Sequence, residues 1–310
     1  MLVRLTSLVR LHLFGARTPS GEAFRRLVDS VLPGSELSCY SRQSHDSPLC
    51  TNIARFEDPA SFLPAGDISV PAIWISFGPI WLLAPFLERL ATSYPERLSG
   101  LSGLVACSSS SVLTKRFAAN RFDKELVVRL ARAEDQLVAT CKQLDVRCHI
   151  LRPTLIYGQV GPCGDRNFSQ LLKMMRRLPL IPLPSDSGLR QPIHASQLAA
   201  VALQLVKQLS ETSSQSSLPE RINVGGDSIL DYQAMLRALQ QAQPAGDPAR
   251  RCRLLPIPNR LFFSLASPLL LRSPKAFEAV MRMSANLSGF TPAHQLLGGE
   301  PQQFPVMPLA

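Results

Sequence analysis

The sequence predicts an α/β fold, a doubly wound parallel sheet with helices on both faces and a small lobe drawn mostly from the C-terminal third. Three observations predict it. Short apolar runs alternate with helix-periodic stretches through the first half of the chain, the pattern of repeated strand–helix units. A glycine-bearing turn follows the first apolar run at once. Beyond residue 157 the alternation loosens into Gly- and Pro-laced segments.

Taken in order, residues 9–14 read as the first strand. Residues 21–31 carry Phe24, Leu27, Val28 and Val31 at helical spacing, and Pro33-Gly34 ends that helix. Further strands are expected over residues 36–41, 72–77, 102–107 and 146–151, and helices over 81–92 and 124–144, the second being the longest. Residues 158–167 then read as a Gly-rich loop, 168–177 as a short helix and 178–184 as a Pro-laced extended segment. An Ala/Leu helix over 196–209, a Ser-rich loop over 211–219 and a strand over 221–224 follow. From Asp231 onward, helices are separated by prolines. On this reading residues 1–157, completed by about 191–227, form the core. Residues 158–190 and 228–310 form the lobe.

Composition narrows the function classes. With 310 residues, 45% of them hydrophobic and 18% charged, the chain belongs with folded soluble proteins. The net charge of +10 is scattered, and its only tight clusters are Lys173-Met-Met-Arg-Arg177 and Arg250-Arg-Cys-Arg253. A nucleic-acid footprint concentrates on one face, so no nucleic-acid partner is expected. The seven cysteines include no Cys-x-x-Cys pair, which points to reduced thiols in a cytoplasmic protein and to no metal site. Cys163, in a Gly-Pro-Cys-Gly turn, is expected to be exposed. Residues 71–87 are uncharged but hold three prolines, so they read as a strand and a helix rather than a membrane span. The apolar, basic residues 1–14 lead straight into Gly15 and read as the first strand rather than a leader. No membrane partner is expected.

Six local signatures recur in a fixed order. Leu13-Phe-Gly-Ala-Arg-Thr-Pro-Ser-Gly21 opens the chain, and Val105-Ala-Cys-Ser-Ser-Ser-Ser-Val112 ends a strand in a serine cluster. Leu151-Arg-Pro-Thr-Leu-Ile-Tyr-Gly158, Arg190-Gln-Pro-Ile-His-Ala195 and Ile222-Asn-Val-Gly-Gly226 follow. Leu297-Gly-Gly-Glu-Pro301 with Phe304 closes the series. Together they resemble the NAD(P)-dependent epimerase/dehydratase family, the extended short-chain dehydrogenases built on a Rossmann-type sheet.

The resemblance implies an NAD or NADP cofactor and a nucleotide-sugar or similar polyol as substrate. It implies hydride transfer at a secondary alcohol carbon, and a homodimer formed through the helix over 124–144. Its glycine loop lets backbone N–H groups approach a pyrophosphate at a helix N-terminus. Gly15, Ala16, Arg17, Gly21 and Ser108 are the implied cofactor contacts. Thr18 stands where the family carries its central glycine, and its Cβ crowds the approach. Arg42 follows the second strand, where an acidic residue would hold an NAD ribose. Arginine there suits a 2′-phosphate, so NADP is expected over NAD. The other reading of Arg17 and Arg42 is two solvated arginines. The family's acidic residue near Gln197 is absent.

Catalysis in that family rests on a Tyr and a Lys one helical turn apart. Here the residues four positions after the four tyrosines are Ser44, Leu98, Gly161 and Leu236. Alignment on Glu134 places Leu126 and Leu130 at the Tyr and Lys positions. The candidates left for catalysis are Ser109, Lys115 and Tyr157, and for substrate contact His194, Arg190 and Asn167. Each has a plain structural alternative, such as a helix-capping serine, a solvated lysine, a packed tyrosine or a histidine capping backbone. Two functions stay open. One is an atypical oxidoreductase or epimerase using Ser109 with Lys115. The other is a catalytically silent Rossmann protein serving as a dinucleotide sensor or protein-interaction scaffold.

Overall fold

The first apolar run forms β1 (Arg10–Phe14), buried along its whole length. The pleat divides its side chains: Leu11 and Leu13 enter one helical layer, while Phe14 enters the other and His12 stacks on Trp74 there. The structure, a computed structural model, describes residues 10–42, 52–211, 218–268, 271 and 273–306. Residue 9 of the expected first strand and most of the expected Ser-rich loop lie outside the described residues.

In chain order β1 is followed by α1 (Pro19–Val31), β2 (Leu37–Ser41), β3 (Asn52–Ile53), β4 (Ala72–Ser76) and α2 (Ile80–Ser93). Next come β5 (Leu101–Cys107), the single turn α3 (Ser111–Thr114), α4 (Arg121–Gln143) and β6 (Arg147–Pro153). Short strands β7 (Ile156–Tyr157), β8 (Gln159–Val160) and β9 (Cys163–Gly164) precede α5 (Asn167–Arg177). Then follow β10 (Leu180–Pro184), β11 (Leu189–Arg190), β12 (Ile193–His194), α6 (Ala195–Ser210) and β13 (Arg221–Gly225). The chain closes with β14 (Leu230–Asp231), α7 (Tyr232–Gln241), β15 (Arg253–Ile257), α8 (Asn259–Ala266), α9 (Pro274–Met281), β16 (Thr291–Pro292) and α10 (Ala293–Leu297).

Eight strands pair in the order β16-β13-β6-β5-β4-β1-β2-β3, and every pairing is parallel. The expected doubly wound sheet is therefore present. Its order runs outward in both directions from the β1–β4 pair, so the connections reverse there and leave a crevice at the carboxyl ends of the two strands. Two departures from expectation have local causes. The loop over 158–167 contains an antiparallel hairpin, with Gln159 opposite Gly164. The tail is not wholly in the lobe: Thr291 lies beside Val224, because the chain returns to cover the open edge of β13.

Helices α1 and α6 cover one face through Phe24, Val28, Leu198, Val201 and Leu205. On the other face α2 and α4 bring Leu83, Phe86, Leu87, Leu130 and Leu137. Covering both faces explains why β1 and β4 read as nearly continuous apolar runs. A third apolar cluster gathers Tyr157, Phe168, Met175, Ile181, Leu183, Met235 and Leu236 away from the sheet.

One polar pair sits deep in the second layer. Tyr40 accepts the Ala65 N–H at 2.7 Å, so its own hydroxyl hydrogen points to His12 Nδ1, 2.9 Å away. Nδ1 is thus an acceptor, the imidazole is neutral, and Nε2 is buried without a partner. Burial, aided by the Arg10 charge, pushes the His12 pKa from 6.5 down to about 4. The unfolded chain binds this proton first as pH falls. The stabilising contribution is therefore complete above pH 6.5 and lost as the pH drops through about 4. A shift of that size corresponds to on the order of 3 kcal/mol. We expect the urea midpoint to fall steeply across that window, and His12→Gln, which keeps an acceptor for Tyr40, to flatten the fall. An unchanged slope in the variant would assign the titration elsewhere.

Candidate functional site

The crevice begins where β1 ends. Gly15 has φ +80, and a Cβ there would stand 2.8 Å from the Gly78 backbone nitrogen in the loop after β4. Gly21 packs so closely that its Cβ would lie 2.2 Å from the Gly15 carbonyl oxygen. These two glycines hold strand, loop and helix together. Between them Thr18 is extended, with φ −85, and caps α1. Its Oγ1 accepts the Gly21 N–H at 3.0 Å and donates to the Gly15 carbonyl at 2.8 Å. The loop is therefore closed on itself.

The first turn of α1 also buries a carboxylate. Glu22 accepts hydrogen bonds from Arg25 at 3.0 and 3.1 Å and from Arg26 at 2.8 Å. Burial would raise its pKa, but the two guanidinium groups hold it below the usual value. The turn of the β8–β9 hairpin rests on this cluster, since a Cβ on Gly161 would meet Arg26 Nη2 at 2.3 Å. Ala16 is buried, while Arg17 and Arg42 are exposed at the rim. A pyrophosphate at a helix N-terminus needs open N–H donors and no opposing carboxylate. With Thr18 on the Gly21 N–H and Glu22 in the same turn, these residues do not fit a dinucleotide pyrophosphate held as a three-glycine loop holds it.

At the end of β5 the serine cluster is also internally engaged. Ser108 Oγ donates to Glu134 Oε1 at 2.5 Å. Glu134, 1% exposed, receives Arg152 through Nε at 3.0 and 3.1 Å and through Nη2. Arg221 Nε stands 3.5 Å from the same carboxylate. Ser109 Oγ accepts the Ser111 N–H at 3.1 Å and donates to Ser111 Oγ at 3.0 Å, so it closes the turn into α3. Leu130 is 1% exposed within the second core, and Leu126 packs against that core. Neither offers a hydroxyl or an amine.

Lys115 lies just past α3 and binds Asp123 at 2.8 Å. The same buried carboxylate takes Asn120 Nδ2 at 2.9 Å and Arg282 Nη1 at 2.8 Å. Burial would raise the Asp123 pKa, but the bonds from Lys115, Asn120 and Arg282 hold it far below the carboxylate range. Glu278, on α9, accepts the backbone N–H groups of Ala119 at 3.0 Å and Asn120 at 2.9 Å. Lys115 is thereby part of a clamp between the start of α4 and the region of α9.

The remaining candidates lie further along the chain. Tyr157 is buried among Phe168, Phe304 and His194, and its hydroxyl accepts the Val306 N–H at 2.8 Å. Burial pushes its pKa well above 10. His194 caps α6, its Nδ1 accepting the Ser196 N–H at 3.2 Å, and burial lowers its pKa. Arg190 donates to the carbonyls of Leu189, Ala285 and Arg282 at 2.9, 2.6 and 2.6 Å. Asn167 is exposed at the start of α5. The structure thus brings Tyr157 and His194 together, with Ser108, Ser109 and Lys115 grouped at the end of β5. Each of these five has an internal partner. Cys163 is half-buried rather than exposed, because β9 packs beside α1.

Sequence reasoning missed Asp227. Its carboxylate takes Gln197 Nε2 at 2.9 Å, the His294 N–H at 2.9 Å, His294 Nδ1 at 3.0 Å and the Gln302 N–H at 3.0 Å. The signal was its place directly after Gly225-Gly226. Among the described residues, no group of three or more His, Cys, Asp or Glu converges to hold a metal.

No protein-family profile matches the chain. No curated protein matches it either. Solved structures do. The protein gox2253 is 17% identical with a TM-score of 0.61, over 95% of this chain and 94% of that one. A nucleoside-diphosphate-sugar epimerase from Staphylococcus aureus is 13% identical with a TM-score of 0.58, over 95% and 97%. UDP-glucuronic acid 4-epimerase from Bacillus cereus, solved with UDP-glucuronic acid and NAD, is 14% identical with a TM-score of 0.56, over 95% and 94%. At these identities the likeness establishes a shared fold along nearly the whole chain.

The Glu134 cluster gives a direct test of this geometry. Glu134→Ala leaves Arg152 without its buried partner, and we expect a loss of about 3 kcal/mol or more in denaturant unfolding. A loss within error of zero would mean that the cluster is solvated.

Proposed function

We propose that this chain is a catalytically silent Rossmann protein, a scaffold of the nucleotide-sugar epimerase/dehydratase type that works by binding rather than by turnover. One observation carries the reading: the two positions that need a tyrosine and a lysine hold Leu126 and Leu130, packed against the α2–α4 core. Proton transfer needs a titratable group within hydrogen-bond reach of the reacting atom. The available substitutes, Ser109, Lys115 and Tyr157, are each committed to a neighbour.

A second reading is an atypical NAD(P)-dependent oxidoreductase or epimerase acting on a nucleotide-sugar or similar polyol. It is favoured by the place of Ser109 and Lys115 at the carboxyl end of β5. Exposed Arg17 and Arg42 at the crevice rim suit NADP over NAD. Titration with NADPH and NADH, followed by nicotinamide fluorescence, together with a turnover assay on nucleotide-sugars, separates the two. On the first reading the wild type binds at least about tenfold more weakly than Thr18→Gly, which frees the Gly21 N–H. Micromolar NADPH binding by the wild type, lost in Arg42→Ala and accompanied by NADPH oxidation with a nucleotide-sugar, would overturn it in favour of the second; binding without turnover would leave a silent dinucleotide sensor.

We also propose that two copies meet along α4, where Trp81 and Val128 line a groove between α2 and α4. Sedimentation velocity tests it: the wild type is expected to run as a dimer and Val128→Glu as a monomer. A monomeric wild type removes the proposal.

A further inference from the structure

Strands β10 and β15 form a parallel two-stranded ribbon whose sides differ. Ile181 and Leu183 point into the third apolar cluster, whereas Leu180 and Pro182 are exposed. Arg253 lies opposite Leu180 and Leu255 opposite Pro182, so both share the outer side, and both are exposed. Helix α5 leads into the ribbon with Met174 and Leu178 exposed. Helix α8 leaves it and packs back on β10, burying Phe262 and leaving Leu261 and Leu265 51% and 66% exposed.

Single exposed leucines are ordinary, but six aliphatic side chains on three adjoining elements make a patch. Cations stand among them: Lys173 and Arg177 on α5, Arg253 on β15 and Arg260 beside Leu261. Elsewhere in the same region Arg176 pairs with Asp247, and Arg282 with Asp123. Among the described residues no carboxylate pairs with the four cations on the patch. Protein-binding hot spots favour aromatic anchors, and the exposed apolar side chains here are aliphatic.

We propose that this surface docks the protein on an anionic phospholipid bilayer. The leucines and Met174 enter the boundary between headgroups and acyl chains, and the four cations meet lipid phosphates. No helix among the described residues is long and apolar enough to cross a membrane, so attachment is along the surface. The sequence-based expectation of no membrane partner rested on the lack of a spanning segment and on basic residues scattered along the chain, and surface attachment needs neither a span nor a run of basic residues. The inference is independent of what the crevice binds.

Flotation of the full chain with vesicles tests it. Binding to equal parts phosphatidylcholine and phosphatidylglycerol is expected to exceed binding to phosphatidylcholine alone by at least about tenfold, and to weaken in high salt. The double variant Leu261→Glu with Leu265→Glu, at exposed positions and with an unchanged thermal midpoint, loses flotation, as does Arg253→Glu with Arg260→Glu. Arg121→Glu with Lys142→Glu makes the same change in net charge on α4 and floats like the wild type. No flotation of the wild type overturns the proposal, and so does wild-type flotation of the leucine variant. Equal loss in the α4 variant overturns it as well, by assigning the attraction to the overall charge. A patch that captures a second copy or an acidic protein while ignoring vesicles also overturns it.

Discussion

The strand connections reverse their sense between the parallel neighbours β1 and β4, and at that reversal two loops must approach without a side chain between them. Gly15, held at positive φ against the Gly78 nitrogen, meets this constraint, and Gly21 extends it by seating α1 on the Gly15 carbonyl. The axis of α1 and the mouth of the crevice follow from that contact. So does the shape of the loop containing Thr18. In a three-glycine loop the same geometry leaves N–H groups open to a phosphate. Here a hydroxyl has taken one of them, while the backbone path is retained.

A second constraint governs what the crevice offers. Buried polar groups need partners, since an unpaired one costs about 1–3 kcal/mol. Around this crevice the partners come from the chain itself. Ser108 turns to Glu134, Lys115 to Asp123, Tyr157 to the tail at Val306, and Arg190 to three carbonyls. Each pairing ties two parts of the chain together across the crevice wall. The enzymes of known fold and this chain share an architecture, and the chemistry belongs to the site rather than to the fold.

Much of the fold was legible in the sequence. The strands at β1, β4, β5 and β6 stood out because burial on both faces makes apolar runs, and α4 stood out because a helix of 23 residues repeats its pattern many times. The β8–β9 hairpin and β16 did not, because two-residue strands carry no period. At the site, the replacement at Thr18 and the leucines at 126 and 130 were visible as residues. Their consequences were not. Whether Thr18 blocks or merely lines the loop depends on where Oγ1 points, and Lys115 looked like a free loop lysine until Asp123 was placed beneath it.

The sequence by itself determined the layers of this protein and the absence of a tyrosine–lysine pair. Both are local properties, written in periodicity and in the identity of single residues. Tertiary structure decided which polar side chains are available. Arg282 reaches Asp123 across 159 positions, and the tail reaches Tyr157 across 149. It also decided that aliphatic and basic residues of α5, the β10–β15 ribbon and α8 are left exposed on neighbouring elements. Hydrogen bonds and patches form between groups that are close in space, and a one-dimensional pattern records spacing only along the chain.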